Sequence, residues 1–207
     1  MNLSEFLTQI LAIENDPGKA RFTDAQNTAA LRAALARFNG VRPYPTSSLF
    51  DGSDSTLITL TGLTALNITR VWWVQADPQN NMELDFYAYR KTGTWYLDTK
   101  DTAVPTGTDN ILVETEIAHT IDDLDAAAST TVPVPDQYML AVAAAGFACQ
   151  AMAVGSIENN NLNPDESQRY SEMGTLLLEI FERSLGNINS GIQSANWNDQ
   201  AAVDKAY

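Results

Sequence analysis

The stretch VPVPDQYMLAVAAAGFACQAMAVG, residues Val132 to Gly155, decides the fold of this chain. After Tyr138 its only strongly polar side chain is Gln150. A helix without a polar face must be covered on all sides. It falls short of the roughly 20 apolar residues of a membrane-spanning helix, and its alanines weaken insertion further. We therefore expect a buried core helix over residues 136–155, entered through two prolines. Its small residues permit close approach of neighbouring helices at Ala141, Ala144, Ala145, Ala148 and Gly155.

Three further helices are predicted from apolar residues spaced three and four apart, over 3–14, 23–39 and 164–185. Ser4 lies near the start of the first helix. Thr23 and Gln26 have the spacing of a capping box, and Gly40 predicts a left-handed stop. Pro164 suits a first helical position, after Asn163 as a cap.

The chain between these helix pairs has the composition of β-strands. Residues 43–48 contain two prolines and predict a rigid connector. The β insertion is predicted over 55–121, with polar turns between strands and a hairpin turn in RKTG. The predicted strands are Thr56–Thr61, Ile68–Gln75, Met82–Arg90, Trp95–Leu97 and Ile111–Ile121.

These patterns together predict an α+β fold. A small bundle of about four helices carries an inserted antiparallel β-sheet or sandwich in a single domain over residues 1–185. The polar segment 186–207 is expected to form a flexible C-terminal arm. Within it, isolated hydrophobic side chains are candidates for docking into a partner: Ile188, Ile192, Trp197 and Tyr207. Folding of the arm back onto its own domain is the alternative.

The composition limits the classes of partner. The chain has 207 residues and a formal net charge of −14. Tight binding to nucleic acid needs clustered Lys and Arg, and here the basic residues are scattered. The start of the chain does not resemble a signal peptide, and the single cysteine excludes an intramolecular disulfide. We therefore expect synthesis in a reducing cytoplasm.

No pattern predicts catalysis, a metal or a cofactor, and we expect a protein that is not an enzyme. Cys149 lies in the apolar helix and His119 at the end of the last strand, where packing roles are expected. Glu114 and Glu116 alternate with apolar residues on a strand, which predicts a solvated face. Two acidic clusters lack the spacing of a calcium loop and are interpreted as turns: Asp51 with Asp54, and Asp122 with Asp123 and Asp125.

The junction of sheet and helix resembles a known family. IAHTIDDLDAAASTTVPVPDQYMLAVAAAGFACQAMA, followed by NLNPDESQRYSEMGTLLLEIFERSL, is similar to the head–tail connector proteins, or neck adaptors, of tailed bacteriophages. The shared pattern is a strand ending in HTI, a TTVP lead, an Ala-rich helix and a Tyr-bearing helix after a polar loop. TDAQNTAALRAALARFN near the start fits as well, so the resemblance covers most of the chain to Leu185.

The resemblance implies a structural protein of the virion neck. Such proteins form a ring, commonly dodecameric, between the portal and the tail, and DNA passes through without sequence-specific binding. The implied partners are the portal, tail and neck proteins and further copies of the chain, with no membrane. A tail terminator or head-completion protein is an alternative within the neck. A different class is a soluble protein- or carbohydrate-binding module that uses aromatic residues of the insertion: Trp72, Trp73, Trp95 or Tyr96. A hydrolase using scattered carboxylates is a further alternative.

Overall fold

The computed structural model describes residues 1–76, 78–100, 102–158 and 164–203, with side chains described up to residue 186 except at 109, 156–158 and 164. It has the predicted α+β fold, with helices and two antiparallel sheets. The chain forms two compact units. The helical unit combines Met1–Arg42 with His119–Tyr207, and the β unit is Pro43–Ala118.

Helices α1 (Leu3–Ile13) and α2 (Asp24–Asn39) both begin with reciprocal capping boxes. The box predicted from Thr23 and Gln26 is confirmed. At α1 the cap is Asn2, whose side chain accepts a hydrogen bond from the Glu5 backbone N–H. Each box satisfies backbone donors that a helix start leaves free.

Gly40 follows α2 in a right-handed conformation, with φ −70° and ψ −18°, so the predicted left-handed stop is wrong. The backbone N–H groups of Val41 and Arg42 both donate to the Phe38 carbonyl. The chain thus leaves α2 through a tightened turn, which needs no positive φ.

Helix α3 spans Val134–Glu158 and extends beyond the predicted 136–155 at both ends. It packs against α1, α2 and α4. The stretch Val134–Gly155 is long and apolar enough to cross a membrane by length and composition alone, but 56% of it is buried within the fold. Contact with three helices supports the predicted core position. Its buried side chains include Leu140, Ala141, Ala143, Ala144, Ala145 and Ala148.

Helix α4 spans Pro164–Val203, beginning at the predicted proline. The predicted end at residue 185 is corrected, because the backbone remains helical past Gly186. Glycine in a helix costs only about 1 kcal/mol relative to alanine, so it does not by itself end one.

Two glycines permit the close packing of α3 on α4. A Cβ at Gly174 would lie 2.8 Å from Gln150 Cγ and 2.9 Å from the Gly146 carbonyl oxygen. A Cβ at Gly146 would lie 3.0 Å from Leu178 Cγ. Gly155, which the sequence suggested for this role, has nothing within 4 Å of a built Cβ.

The β unit is a sandwich of two antiparallel sheets. Seven strands are found in the described part of the chain: β1 Tyr44–Gly52, β2 Leu57–Leu60, β3 Asn67–Trp73, β4 Met82–Glu83, β5 Tyr87–Lys91, β6 Thr94–Asp98 and β7 Gly107–Ile117. The four-stranded sheet has the order β1-β7-β3-β4 and the three-stranded sheet the order β2-β6-β5. The two inner faces share a core that includes Ile58, Leu60, Val71, Leu97, Ile111 and Val113.

Three strand predictions are corrected. Strand β1 occupies the predicted connector, so the insertion begins before residue 55. It lies at the edge of its sheet, where proline is tolerated because one side of the backbone is unpaired. The predicted strand Met82–Arg90 is divided between the two sheets, since β4 pairs with β3 and β5 with β6. Strand β7 ends at Ile117 rather than at residue 121. The hairpin turn in RKTG is confirmed, with positive φ at Thr92 and Gly93.

Candidate docking surfaces and reactive groups

The outer face of the four-stranded sheet carries a row of apolar side chains. The strand register aligns Leu49 with Leu112 and Leu112 with Trp72. Leu49 is 49% exposed at the sheet edge, and the Trp72 indole N–H donates to Glu114 Oε1 at 3.0 Å. Side chains alternate across a strand, and Trp73 accordingly packs against the sandwich core. We name Leu49, Leu112 and Trp72 the apolar row.

The outer face of the three-stranded sheet carries three stacked tyrosines. The rings of Tyr87 and Tyr89 have centroids 6.0 Å apart, and those of Tyr89 and Tyr96 are 5.3 Å apart with planes inclined by 13°. Tyr87 is 65% exposed, and Leu57 on the same face is 48% exposed. We name Tyr87, Tyr89, Tyr96 and Leu57 the aromatic face. Such amphipathic side chains are enriched in protein interfaces.

Only two of the four aromatic residues proposed from the sequence for ligand binding lie on these outer faces. They are Trp72 and Tyr96. Trp73 and Trp95 pack against the sandwich core, and Trp95 Nε1 is buried without a hydrogen-bond partner. Adjacent residues of a strand point to opposite faces, as Trp72 and Trp73 do, but this alternation does not identify the outer one.

The helical unit contains a cavity of about 490 Å³ beside the start of α4. In its wall, the Arg21 guanidinium donates to the Tyr170 hydroxyl at 3.0 Å. This cavity could not be predicted from the sequence, because its walls come from distant parts of the chain. Its lining residues are Glu14, Asn15, Arg21, Glu166, Arg169, Tyr170, Glu172, Met173 and Leu176.

Glu14, in the cavity wall, forms a buried pair with Asn27 on α2. Glu14 is 8% exposed and Asn27 is fully buried. Asn27 Nδ2 donates to Glu14 Oε2 at 3.0 Å, whereas Glu14 Oε1 and Asn27 Oδ1 are buried without a hydrogen-bond partner. Burial raises the pKa of Glu14 to about 7 against the opposing effect of the Asn27 hydrogen bond, and the Asp16 charge adds to the rise.

His119 is held by hydrogen bonds and a ring contact within the helical unit. Its backbone N–H donates to Asn39 Oδ1 at 2.8 Å, and its Nδ1 lies 3.2 Å from Thr131 Oγ1. The ring packs against Phe38 with centroids 5.2 Å apart. Burial lowers the pKa of His119, which favours the neutral ring at neutral pH. These contacts fit the packing role predicted for it.

Cys149 is buried among apolar side chains of the helical unit. Its cluster includes Leu11, Phe22, Ala30 and Ala148. Burial raises the pKa of the thiol to about 12, so the nucleophilic thiolate is scarce at neutral pH. The geometry therefore favours packing over thiol chemistry.

Both acidic clusters contain residues in turn conformations. Asp54, Asp123 and Asp125 have positive φ, as turn residues often do. Asp125 forms an ion pair with Arg32 at 2.6 Å. Within the described ranges, no group of three or more His, Cys, Asp or Glu side chains could hold a metal ion. The Glu114 carboxylate accepts a hydrogen bond from the Trp72 indole N–H.

The predicted docking residues of the arm lie at or beyond the limit of what the structure describes. Ile188, Ile192 and Trp197 fall within α4, but their side chains are outside the described residues, as is all of Tyr207. Their docking role, and the flexibility of the arm, stay predictions.

No protein-family model matches this chain, and no curated protein matches it. The functional proposal therefore depends on the order of the two units along the chain and on the surface of each unit.

Proposed function

We propose that this chain is a ring-forming structural protein of a bacteriophage neck, an adaptor between portal and tail that leaves a passage for DNA. One observation carries the proposal. The helical unit is assembled from both parts of the chain, Met1–Arg42 and His119–Tyr207, with the β unit inserted between them. This is the order of elements that the resemblance to connector proteins implies.

The surfaces are compatible with an assembling subunit. Apolar side chains are exposed on both outer faces of the β unit, in the apolar row and the aromatic face. Covering exposed apolar groups of this kind with a partner lowers the free energy and so favours association. The net charge of −14 disfavours adhesion to DNA phosphates, as a passage for DNA requires.

Light scattering of the purified full chain, alone and with the portal protein of the same phage, tests the proposal. The expected result is a single particle whose mass is a multiple of the subunit mass, formed either alone or on the portal. A chain that stays monomeric and does not bind portal particles would refute the proposal.

Deletion of residues 186–207 tests the arm. Removing them should leave the helical unit folded, because its described buried side chains end at Leu185. We expect portal binding to be lost in this variant and weakened by Trp197→Ala. The matched control is Tyr138→Ala, which alters an exposed aromatic side chain on α3. Portal binding that is unchanged by the deletion would show that the arm is dispensable.

A second candidate is a binding module that uses the aromatic face. The observation that favours it is the exposure of Tyr87 beside the stacked Tyr89 and Tyr96. A saturable change in intrinsic fluorescence on titration with oligosaccharides or peptides is expected, and Tyr87→Ala should abolish it. Tyr138→Ala is the control, and equal loss in both variants would argue against this face.

A further inference from the structure

The Glu14–Asn27 pair joins the end of α1 to α2 and is incomplete when the carboxyl group is ionised. An ionised carboxylate only accepts hydrogen bonds, while a side-chain amide offers two N–H donors and an acceptor oxygen. One bond is formed, from Asn27 Nδ2 to Glu14 Oε2. The remaining oxygens, Glu14 Oε1 and Asn27 Oδ1, are both acceptors and both lack a donor. Buried acceptors without a donor are rare because each loses its hydration.

A single proton would satisfy both atoms. We propose that Glu14 is protonated at neutral pH and donates from Oε1 to Asn27 Oδ1, so that the two side chains form a reciprocal acid–amide pair whose proton controls the contact between α1 and α2. The bond from Nδ2 to Oε2 forms one side of such a pair, and the two unsatisfied oxygens belong to the same two side chains. The raised pKa of Glu14 agrees with this geometry.

Other donors do not fit the position. The Arg21 guanidinium donates to the Tyr170 hydroxyl, and no described donor, Arg21 included, forms a hydrogen bond with Glu14 Oε1. Glu14 Oε1 is buried from solvent, so a solute in the adjoining cavity does not reach it. The proton of Glu14 itself is therefore the simplest donor.

The negative charge of Asp16 disfavours ionisation of Glu14. Asp16 accepts backbone N–H groups from Ala20, Arg21 and Phe22, which lower its pKa and keep it ionised beside Glu14. On α3, burial raises the pKa of Cys149, the charge of an ionised Glu14 adds to that rise, and the thiol is neutral. Titratable or charged side chains of mixed sign line the cavity with Glu14: Arg21, Glu166, Arg169, Tyr170 and Glu172.

Loss of the proton should weaken this part of the helical unit. A carboxyl group whose pKa is higher in the folded chain binds more protons there than in the unfolded chain. Stability contributed by the pair is therefore complete below the ordinary pKa of 4.5 and is lost as the pH rises to about 7. The expected consequence is a looser contact between the end of α1 and α2, beside the cluster that contains Cys149.

The first test is a carbon-13 NMR titration of the assigned Glu14 carboxyl in the full chain. We expect it to titrate near neutral pH, well above the exposed glutamates. Titration together with the exposed glutamates would overturn the proposal. This measurement uses the unaltered chain and does not depend on the folding of a variant.

The second test compares unfolding of the wild type and Glu14→Gln across pH. The amide of the variant supplies a permanent donor to Asn27 Oδ1. Between about pH 4.5 and about pH 8, the unfolding equilibrium constant of the wild type should rise about a hundredfold relative to that of the variant. Glu172→Gln, an exposed change at the cavity rim, should follow the wild type. Parallel profiles for the wild type and Glu14→Gln would contradict the proposal.

Thiol labelling of Cys149 reports on the local contact. Above neutral pH, Cys149 of the wild type should be labelled faster than the increase in its thiolate fraction alone explains. This excess labelling should be absent in Glu14→Gln. Equal labelling at every pH in the two proteins would show that the proton does not control the contact.

Discussion

At the scale of single residues, Arg42 and Asp136 form the most enclosed ion pair among the described side chains. Arg42 Nη1 donates to both carboxylate oxygens of Asp136, at 2.9 and 3.0 Å. The two side chains are 18% and 11% exposed. Asp136 lies in the first turn of α3, where a helix favours negative charge. The pair therefore links the end of α2 to the start of the core helix.

Removing one partner of this pair should be costly. We expect Asp136→Asn to lower the free energy of unfolding by about 2–3 kcal/mol, because the largely buried Arg42 charge then lacks the carboxylate that neutralises it. Asp125→Asn is the matched change in the exposed pair with Arg32, and it should cost less than about 1 kcal/mol. Urea unfolding of both variants measures the difference, and equal losses would contradict this ranking.

At the scale of elements, the sequence predicted structure where the signal was local. The Thr23–Gln26 capping box, the proline start of α4 and the RKTG turn depend on neighbouring residues, and all three were found. Strand β1 was missed because its prolines resemble a connector, and only pairing with β7 makes it a strand. The division of Met82–Arg90 also depends on which partner strand each part meets.

The two outer faces of the β unit were only partly predictable. Alternation along one strand placed Trp72 and Trp73 on opposite faces, but the register with β7 decides which is outside. The stack of Tyr87, Tyr89 and Tyr96 needs the register of β5 with β6. The Glu14–Asn27 pair had no sequence signal, because hydrogen bonding between α1 and α2 is a tertiary contact.

Replacing each of two glycines of α4 with alanine should change the free energy of unfolding in opposite directions. Gly174→Ala should lower the free energy of unfolding by about 1–3 kcal/mol, because the new Cβ would press on the α3 backbone. Gly186 has nothing within 4 Å of a built Cβ. Gly186→Ala should therefore raise stability by up to about 1 kcal/mol, because α4 continues through this position. Thermal unfolding of both variants compares them, and a loss on Gly186→Ala would argue against a continuous helix there.

At the scale of the whole molecule, the two segments of the helical unit that flank the insertion lie close together. Arg42 and His119 flank the insertion, and the His119 backbone N–H bonds to Asn39 near the end of α2. We expect that replacing residues 43–118 with a short Gly-Ser linker leaves a folded helical protein. Circular dichroism should show cooperative unfolding, and a chain without such a transition would show that the helical unit needs the insertion.

The net charge predicts how assembly should depend on salt. Like-charged copies repel, and salt screens exposed charges with a Debye length of about 10 Å at 0.1 M. If copies of the chain associate as proposed, we expect the particle mass to increase when moderate salt is added. Light scattering across a salt series measures this, and dissociation by salt would instead indicate an interface held by ion pairs.

The inserted arrangement also sets the order in which the units are completed during synthesis. The β unit is continuous in sequence, so all of its strands have been made before the ribosome reaches α3. Helices α1 and α2 are made first, yet their apolar side chains become buried only after α3 and α4 have been made. Because domains generally fold as units during synthesis, the middle of the chain should fold before its beginning. Until then, the nascent chain exposes the hydrophobic faces of its first two helices.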